Sequence, residues 1–591
     1  MPMDYDFIVP TSEAKAAQAS TKQDTEDSDV WEDIDILNMA DDSLKECRYQ
    51  DPRTRRNQIQ TEQQHWIPQI PEMADAFLDY NYCKWELNEA EYDGVVETTE
   101  WVEVMDTFNA VRMGAKYYRG MLKSTSLVRQ GMIPCSPLLH VRAVTISVLE
   151  LYYHLSCRCP RLAIQPFVRG LCDLQGFPYR DTLSDQFSRA YDCYLAIQRE
   201  LHQRVQKRLK HDTERWQMLN NCPCCQYPVE NEPELEIGTL VCFDGNDSMK
   251  RVQRRSPDSN GKSYAGPSLE RPDNRSGGGD YFVPWEKVQK WAPENWKATA
   301  KEMGTDIDSD NIKDSEGPCE GKWKNMNDQH IAKAWNVFDA QGWFVMLCRH
   351  SFMLKAADMM HSGEQRKYPL ALLHELLDGL RAERELLNKK RAASGLPPLL
   401  PKGVGCGYDL ACNLLKTVLK SPLRDSAFRE EVIMLIGILH GHAHQRICQL
   451  SFLLTYLKGV GMENLEQCER YFSKSNALAV ATRHSSIFHR LQTIVEYIYH
   501  HDNYETYANL SKILLGNYKA VLHTIATKPA ILERARQIGL PNADTFYQWL
   551  TEEHQHLLSK KKEPEVELLK MEYFKKLVEL QTCRERLENA L

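Results

Sequence analysis

The sequence contains no run of about 18 or more uninterrupted apolar residues, which a membrane-spanning helix would need. It also contains no intact phosphate-binding loop, so an ATP-driven activity is disfavoured. Residues 1–10 lack an apolar segment and carry acids where a signal peptide needs bases, so we do not expect secretion. The 18 cysteines are therefore expected to be reduced thiols or metal ligands rather than disulfides.

Basic residues are scarce only at the beginning of the chain. The first fifty residues hold 13 acidic and 4 basic side chains, which accounts for the whole formal net charge of −9. Global charge therefore argues neither for nor against nucleic acid, because binding needs only a local basic face. The low apolar content of residues 1–60 predicts a disordered acidic tail.

At 591 residues, with 42% hydrophobic and 26% charged side chains, the chain is too long for one core and has the composition of an ordinary globular protein. After the tail we predict a mainly helical domain at 61–220 and a core at 221–530. Breaker-rich sequence indicates an insertion in this core at about 250–325, in which three tryptophans predict a small packed patch. Residues 531–591 are predicted to be helical, with an amphipathic helix from Pro564 that suits a coiled coil.

Periodicity gives a coarse element order. Apolar spacing predicts helices at 141–153 and 183–201. The elements predicted further along are a strand from Leu240, a hairpin at 335–348 turning at Asp339–Gly342, helices at 351–361 and 368–390, a strand at 403–409 and a helical region at 427–520. This is the order of an α/β, RNase H-like core with an insertion after its first strand and large helical additions.

Two predicted strands are followed by an aspartate. The apolar run Leu240–Phe243 ends on Asp244, ahead of the turn signal Gly245–Asn246, and Asp409 follows the Gly-rich strand. A charge at the end of a buried strand is costly unless it has a role such as holding a divalent cation. Three further acids lie in one helical run: Glu463, Glu466 and Glu469.

We expect Asp244, Asp409 and Glu466, with Glu469 as the alternative third acid, to converge as a two-metal site for phosphoryl transfer. Hard cations such as Mg²⁺ or Mn²⁺ prefer carboxylate oxygens, and two ions about 3.5–4 Å apart can stabilise the attacking and leaving oxygens. Each acid alone has a simpler explanation. Asp244 suits a turn, Asp409 a helix N-cap, and the glutamates a solvated helix face.

The segment Cys222-Pro-Cys-Cys225 offers half of a structural zinc site. The candidates for the other half are Cys319, Cys348 and His350. A coincidental thiol cluster is the alternative, and a redox pair is less attractive because no β-α-β context surrounds the motif.

The segment His440-Gly-His442-Ala-His444 contains three histidines that could in principle bind a metal. Residues two apart on a helix do not face each other, however, so we favour packing or phosphate-contact roles for them.

Short motifs dispersed between Gly131 and Leu522 carry a family resemblance. They are Gly131-Met-Ile-Pro, Cys222-Pro-Cys-Cys, Asp244-Gly-Asn-Asp-Ser-Met-Lys-Arg, Trp323-Lys-Asn-Met, Leu347-Cys-Arg-His, Gly363-Glu364 with Tyr368-Pro, Tyr408-Asp-Leu-Ala-Cys, His440-Gly-His-Ala-His and Glu466-Gln-Cys-Glu-Arg with Ser473, Asn476 and Thr482-Arg-His. With these motifs in this order the chain resembles the Kyakuja-Dileera-Zisupton (KDZ) transposases, fungal type.

The resemblance implies a nuclear cut-and-paste DNA transposase with an RNase H-like core and an acidic catalytic triad. This agrees with the Mg²⁺ or Mn²⁺ expected from the carboxylates, and the cysteine motif separately predicts a structural Zn²⁺. By position, the motifs give Asp244 and Asp409 as catalytic acids. The family usually shows Asp-Gly-Glu where this chain has Asn464-Leu465-Glu466, which selects Glu466, with Glu469 as the alternative.

The implied partners are duplex DNA, at transposon ends and target, and further copies of the chain; no membrane is implied. Lys250, Arg251, Arg470 and Arg483 are the candidate DNA contacts. The alternative function is a catalytically inactive or truncated transposase-derived nuclear DNA-binding protein. A purely helical scaffold would instead require the acids to lie far apart.

Overall fold

The computed structural model describes residues 55–85, 94–108, 110–226, 235–252, 275, 277–305, 319, 338–540, 542, 544–560 and 565–588. The chain divides into two units, Met1–Ile59 and Gln60–Leu591. The predicted acidic tail lies almost entirely outside the described residues, as do most of the predicted insertion and the Trp323 motif.

Strands and helices alternate along the described residues. The strands are β1 (Val96–Met105), β2 (Ala110–Tyr118), β3 (Met132–Pro134), β4 (Arg142–Thr145), β5 (Thr239–Asn246), β6 (Arg251–Val252), β7 (Phe338–Cys348), β8 (Met353–Met360), β9 (Val404–Gly407) and β10 (Val432–Leu435). The helices up to β5 are α1 (Arg55–Trp66), α2 (Ile70–Trp85), α3 (Lys123–Arg129), α4 (Ile146–Arg158), α5 (Ile164–Gln175), α6 (Asp181–Leu209), α7 (Trp216–Asn220) and α8 (Pro223–Gln226).

Most of the remaining chain is helical. The helices after β6 are α9 (Trp285–Gln289), α10 (Trp296–Met303), α11 (Lys367–Ala393), α12 (Ala411–Lys420), α13 (Arg424–Arg429), α14 (Ile438–Gly441), α15 (Arg446–Phe452), α16 (Gln467–Ser475), α17 (Leu478–Thr482), α18 (Ile487–His501), α19 (Tyr507–Gln537), α20 (Asp544–Lys560) and α21 (Glu565–Glu588). A π-helical turn, Asp502–Thr506, joins α18 to α19. None of the helices that the structure describes has the length and apolar content needed to cross a bilayer.

The N-terminal region contains a four-stranded sheet in the order β2-β1-β4-β3, in addition to the predicted helices. The helix predicted at 183–201 is confirmed by α6. The helix predicted at 141–153 is wrong at its start, because residues 142–145 form β4, which pairs with β1 and with β3. Strand pairing on both sides overrides the helical spacing of these four residues.

The central sheet has the order β8-β7-β5-β9-β10, and β6 pairs with β7 on the same edge as β5. Strand β5 is parallel to β9, and β9 is parallel to β10. Strand β7 is antiparallel to both β5 and β8. Strand β5 therefore lies at the centre, with a hairpin on one side and two parallel strands on the other.

Helices cover both faces of this sheet. Successive residues of a strand point to opposite faces, so the two faces of the sheet form separate cores. On one face, Phe243 and Phe344 pack with Tyr368 of α11. Trp343 packs in a second core with Tyr471 of α16, and α18 contributes to the same core. The three-layer arrangement confirms the predicted mixed α/β class.

The predicted hairpin turn at Asp339–Gly342 is wrong. Strand β7 runs without interruption through these residues, and the turn of the hairpin lies between β7 and β8. Gly342 is required because a Cβ atom there would lie 2.1 Å from the carbonyl oxygen of Asn246. The glycine therefore marks a close approach between strands rather than a turn.

The helix predicted at 351–361 is also wrong, because these residues form β8. Strand β10 interrupts the helical region predicted at 427–520. The predicted helix at 368–390 and the predicted strand at 403–409 are confirmed by α11 and β9. The predicted tryptophan patch is also confirmed, because Trp296 donates its indole N–H to the carbonyl of buried Trp291. Helix α21 confirms the predicted C-terminal helix.

Candidate functional site

Parallel pairing of β5 with β9 places Asp244 beside Asp409. In the register of these strands, Cys242 lies opposite Gly407. Each aspartate lies two residues beyond its paired residue, with Asp244 still within β5 and Asp409 in the turn that follows β9. Sheet pairing thus brings together two of the predicted catalytic residues.

Glu364 joins the two aspartates from the loop between β8 and α11. Oxygen atoms of Asp244, Glu364 and Asp409 lie within 4.8 Å of one another, and we call these residues the acidic cluster. The Tyr408 hydroxyl donates a 2.5 Å hydrogen bond to Glu364 Oε1. A Cβ atom at Gly245 would lie 2.8 Å from Glu364 Oε2, so the glycine after Asp244 leaves room for this side chain.

Burial and mutual repulsion favour protonated acids in this cluster. Burial, followed by the charges of Asp409 and Glu364, raises the pKa of Asp244 to about 9. Burial, and then Asp409, raises the pKa of Glu364 to about 8. Burial also raises the pKa of Asp409, against the effect of nearby His440 and His444. A divalent cation would relieve this repulsion.

The acidic cluster fits a magnesium or manganese ion. Its ligands are hard carboxylate oxygens, which these ions prefer. Asp409 Oδ1 is buried and has no hydrogen-bond partner among the residues described. Such an oxygen needs a cation or a proton, because an unpaired buried polar atom is costly. Asp244, Glu364 and Asp409 can therefore hold the ion.

The two candidate third acids lie outside the acidic cluster. Glu466 Oε1 accepts a 2.8 Å hydrogen bond from the Leu439 backbone N–H, and its Oε2 lies 3.6 Å from His440 Nε2. Glu469 is half-exposed, and its charge contributes to the raised pKa values of Asp244 and Asp409. Glu469 therefore acts electrostatically on both aspartates, whereas Glu466 binds the N-terminus of α14 through the Leu439 N–H.

Leu465 takes the conformation that glycine would adopt most easily. Its φ is +53°, and its side chain is buried in a small core with Ile237 and Val460. Gly407 lies directly opposite, because a Cβ atom there would lie 2.7 Å from Leu465 Cδ1. The turn before α16 thus forms with Leu465 at a position where glycine would be less strained. Burial of the Leu465 side chain offsets the backbone strain.

Four of the five predicted zinc ligands meet. Cys222, Cys225, Cys348 and His350 have ligand atoms within 4.8 Å of one another, and we call them the first Cys/His cluster. His350 Nδ1 lies 3.4 Å from Cys222 Sγ and 3.3 Å from Cys225 Sγ. The cluster can hold a zinc ion that fastens α8 to the turn of the β7–β8 hairpin.

The fifth predicted ligand, Cys319, lies elsewhere, so its assignment to the first cluster is wrong. It meets Cys412, His444 and Cys448 within the same 4.8 Å limit, in what we call the second Cys/His cluster. Sequence analysis missed Cys412 and Cys448 and disfavoured a metal role for His444. The overlooked signal was the His-x-x-x-Cys spacing from His444 to Cys448. This spacing places both side chains where they can bind the same ion.

One predicted DNA contact is buried. Arg251 is 3% exposed and forms an ion pair with Asp339 inside the sheet, so it serves the fold. Lys250 is partly exposed and lies 5.6 Å above the Phe338 ring. The other two candidates are both exposed: Arg470 and Arg483.

Residues 237–502 match the sequence profile of the Kyakuja-Dileera-Zisupton transposase family. Over this region the chain is similar to the KDZ transposases. The matched region contains the acidic cluster and the second Cys/His cluster, whereas Cys222 and Cys225 precede it. No curated protein and no solved structure matches the chain.

Proposed function

We propose that this protein is a DNA transposase that cleaves and joins DNA strands with the help of Mg²⁺ or Mn²⁺. The observation that carries the proposal is the partly buried acidic cluster near the ends of β5 and β9, inside the region that matches the KDZ family. A transposase acts on DNA, so we also propose a nuclear location.

The sheet supports an RNase H-like core. Its first strand, β5, is central, with the antiparallel β7–β8 hairpin on one side and parallel β9 and β10 on the other. About ninety residues separate β5 from β7, which agrees with an insertion after the first strand. Asp244 lies near the end of the first strand of this arrangement, and Asp409 follows the fourth, counted without β6.

The acids have distinct proposed roles. Asp244 and Asp409 hold the metal ions, and Glu469 is the third carboxylate that completes the triad. Two bound Mg²⁺ ions would stabilise charge on the attacking and leaving oxygens at phosphorus. Glu364, oriented by the Tyr408 hydroxyl, is a further metal ligand beside both aspartates.

His440 and Glu466 are proposed as positioning residues. His440 Nε2 lies 3.6 Å from an oxygen of each glutamate, Glu466 and Glu469, and so connects the loop before α16 to the α14 turn. Glu466 in turn accepts the backbone N–H of Leu439. These contacts hold the first turn of α16, which carries Glu469, next to the aspartates.

The proposed DNA contacts are Lys250, Arg470 and Arg483, and a zinc ion in the first Cys/His cluster has a structural role. Two helices near the C-terminus support a homo-oligomer, because they expose many large apolar side chains. These are Leu514, Leu515, Tyr518, Leu522 and Ile525 on α19, and Leu569, Tyr573, Phe574 and Leu577 on α21.

The test is nicking of supercoiled plasmid by the full chain with Mg²⁺ or Mn²⁺. We expect metal-dependent nicking that Asp244→Asn and Asp409→Asn abolish. Asp173→Asn, at an exposed position on α5, is the matched control and should retain activity. Equal nicking by wild type and both active-site variants would refute the proposal. DNA retention without any metal-dependent nicking would favour the non-catalytic alternative.

A further inference from the structure

The second Cys/His cluster has the spacing of a tetrahedral zinc site. Cys319 Sγ lies 3.5 Å from Cys448 Sγ, and Cys412 Sγ lies 3.8 Å from His444 Nδ1. Zinc–sulfur bonds of about 2.3 Å in a tetrahedron would place neighbouring sulfurs about 3.8 Å apart. The four side chains therefore need little movement to surround one ion.

Hydrogen bonds around the cluster orient its ligands. His444 Nε2 lies 2.8 Å from the carbonyl oxygen of Asp409. A carbonyl can only accept, so Nε2 carries the proton, and a neutral ring then presents the Nδ1 lone pair towards Cys412. Metal-bound histidines commonly donate their second N–H to such an acceptor. The Gln445 backbone N–H also donates to Cys319 Sγ at 3.4 Å, which would stabilise a thiolate.

The burial of the second Cys/His cluster supports a metal-binding role. All four side chains are buried: Cys319, Cys412, His444 and Cys448. Cysteines in an apolar core normally pack as small hydrophobic groups. Here three sulfurs and an imidazole nitrogen converge on one point, which leaves them weakly bonded without an ion and well bonded with one.

We propose that the second Cys/His cluster binds a zinc ion, and that His444 transmits this anchorage to the main chain at Asp409. Cys412 lies in the first turn of α12, three residues after Asp409, and Cys448 lies in α15. Zinc would thus tie the start of α12, directly after the Asp409 loop, to α15. Zinc binding stands independently, whereas the role in positioning Asp409 rests on the proposed function.

Metal analysis of the purified full chain tests the zinc site. We expect two zinc ions per chain in wild type and in Cys159→Ser, a control at an exposed cysteine outside both clusters. Cys448→Ser should lose one ion, and Cys348→Ser should lose the other. Two ions retained in Cys448→Ser would overturn the proposal. So would a disulfide between Cys319 and Cys448 in the purified protein, detected by mass spectrometry after alkylation.

Two further measurements distinguish the loss of a zinc ligand from misfolding of the variant. Cys448→His keeps a ligand and should retain two zinc ions. In the Cys222→Ser, Cys225→Ser double variant, Co²⁺ that replaces the remaining zinc should give the visible absorption of tetrahedral thiolate-bound cobalt. Its absence, or loss of the ion in Cys448→His, would overturn the zinc site.

Mn²⁺ binding at the acidic cluster tests the positioning role. Loss of the second zinc in Cys448→Ser should weaken Mn²⁺ affinity by about 10-fold or more. Cys348→Ser, which loses the other zinc, should leave that affinity unchanged. Unchanged Mn²⁺ affinity with a lowered zinc count would overturn only the positioning role. If wild type binds two zinc ions but no Mn²⁺, the positioning role fails together with the proposed function, and the zinc site stands.

Discussion

The acidic cluster and the first Cys/His cluster lie on the same sheet but differ in what they do to the fold. The acidic cluster gathers hard oxygen ligands at strand ends, where burial and repulsion raise the pKa values of Asp244 and Glu364. The first Cys/His cluster gathers soft sulfur and nitrogen ligands at a hairpin turn. The difference in donor atoms sorts the metals, because carboxylates suit Mg²⁺ and Mn²⁺ and thiolates suit zinc.

The comparison also separates function from stability. An acidic cluster without metal opposes folding, since it brings repelling groups together. A zinc-filled Cys/His cluster favours folding, because a preformed site is absent from the unfolded chain and zinc binding energy becomes folding energy. Substitutions in the two clusters should therefore have opposite effects on stability.

Removal of a carboxylate should have the largest effect of all, a loss of activity. Asp244→Asn should reduce metal-dependent nicking by about 10³-fold or more, by analogy with the loss of single catalytic residues elsewhere. The same change should raise the melting temperature of the Mg²⁺-free protein, because it removes a source of repulsion. Nicking rates and thermal unfolding check both outcomes. A lower melting temperature would contradict the contrast drawn between the clusters.

Removal of a zinc ligand should have the next largest effect, on stability. Cys348→Ser should lower the free energy of unfolding by roughly 3 kcal/mol or more, because it leaves a buried zinc site incomplete. The measurement is chemical denaturation with parallel zinc analysis. Cys224→Ser is the control, at a cysteine next to the cluster ligand Cys225 in α8 but outside the cluster, and should change stability by less than about 0.5 kcal/mol. Equal effects of the two substitutions would show that zinc binding at the first Cys/His cluster does not stabilise the fold.

The two candidate third acids should differ in activity. Glu469→Gln should slow nicking by about 10²-fold or more, because Glu469 acts on both aspartates and is proposed to hold metal. Glu466→Gln should slow it by less than about 10-fold, because an amide oxygen can still accept the Leu439 N–H. Nicking rates over a range of Mn²⁺ concentrations compare the variants. The reverse order would restore Glu466 as the third catalytic acid.

The smallest effect expected is a pH dependence of stability in Mg²⁺-free protein. The folded-state pKa values of Asp244 and Glu364 are raised, to about 9 and about 8, above those of the unfolded chain. Their contribution is therefore fully present below about pH 4 and is lost as pH rises through the folded-state values. The melting temperature should fall by a few degrees between pH 6 and pH 9.

Two comparisons sharpen this pH prediction. Asp244→Asn should flatten the decline, because it removes one of the titrating groups. Mg²⁺ should raise the melting temperature more at pH 9 than at pH 6, because it binds the ionised acids. An identical pH profile in wild type and Asp244→Asn would show that these acids do not titrate in this way.

Local sequence predicted the parts of the site that depend on one element at a time. The apolar run before Asp244 and the Gly-rich strand before Asp409 indicated strands, and both are present. The predicted end of the first strand at Asp244 is wrong, because β5 continues through Gly245 and Asn246, which pair with β7. Glu364 could not be predicted, because only the packed fold shows that Gly245 leaves space for it. Gly342 misled for the same reason, since its role is a contact with another strand.

The cysteines show the same limit. Cys222 and Cys225 announce a site by their spacing, and their partners at 348 and 350 lie in one turn. Cys319 could be assigned to either cluster from sequence, because nothing local fixes which sulfurs it meets. The position of Cys319 along the chain does not indicate which cluster it joins, and only the tertiary fold determines this.

The most direct test of the central claim is anomalous diffraction from crystals of the full chain soaked in Mn²⁺. The account predicts a manganese peak bonded to carboxylate oxygens of both Asp244 and Asp409. Ordered carboxylates at these positions with no manganese between them, or manganese bound only elsewhere, would contradict it.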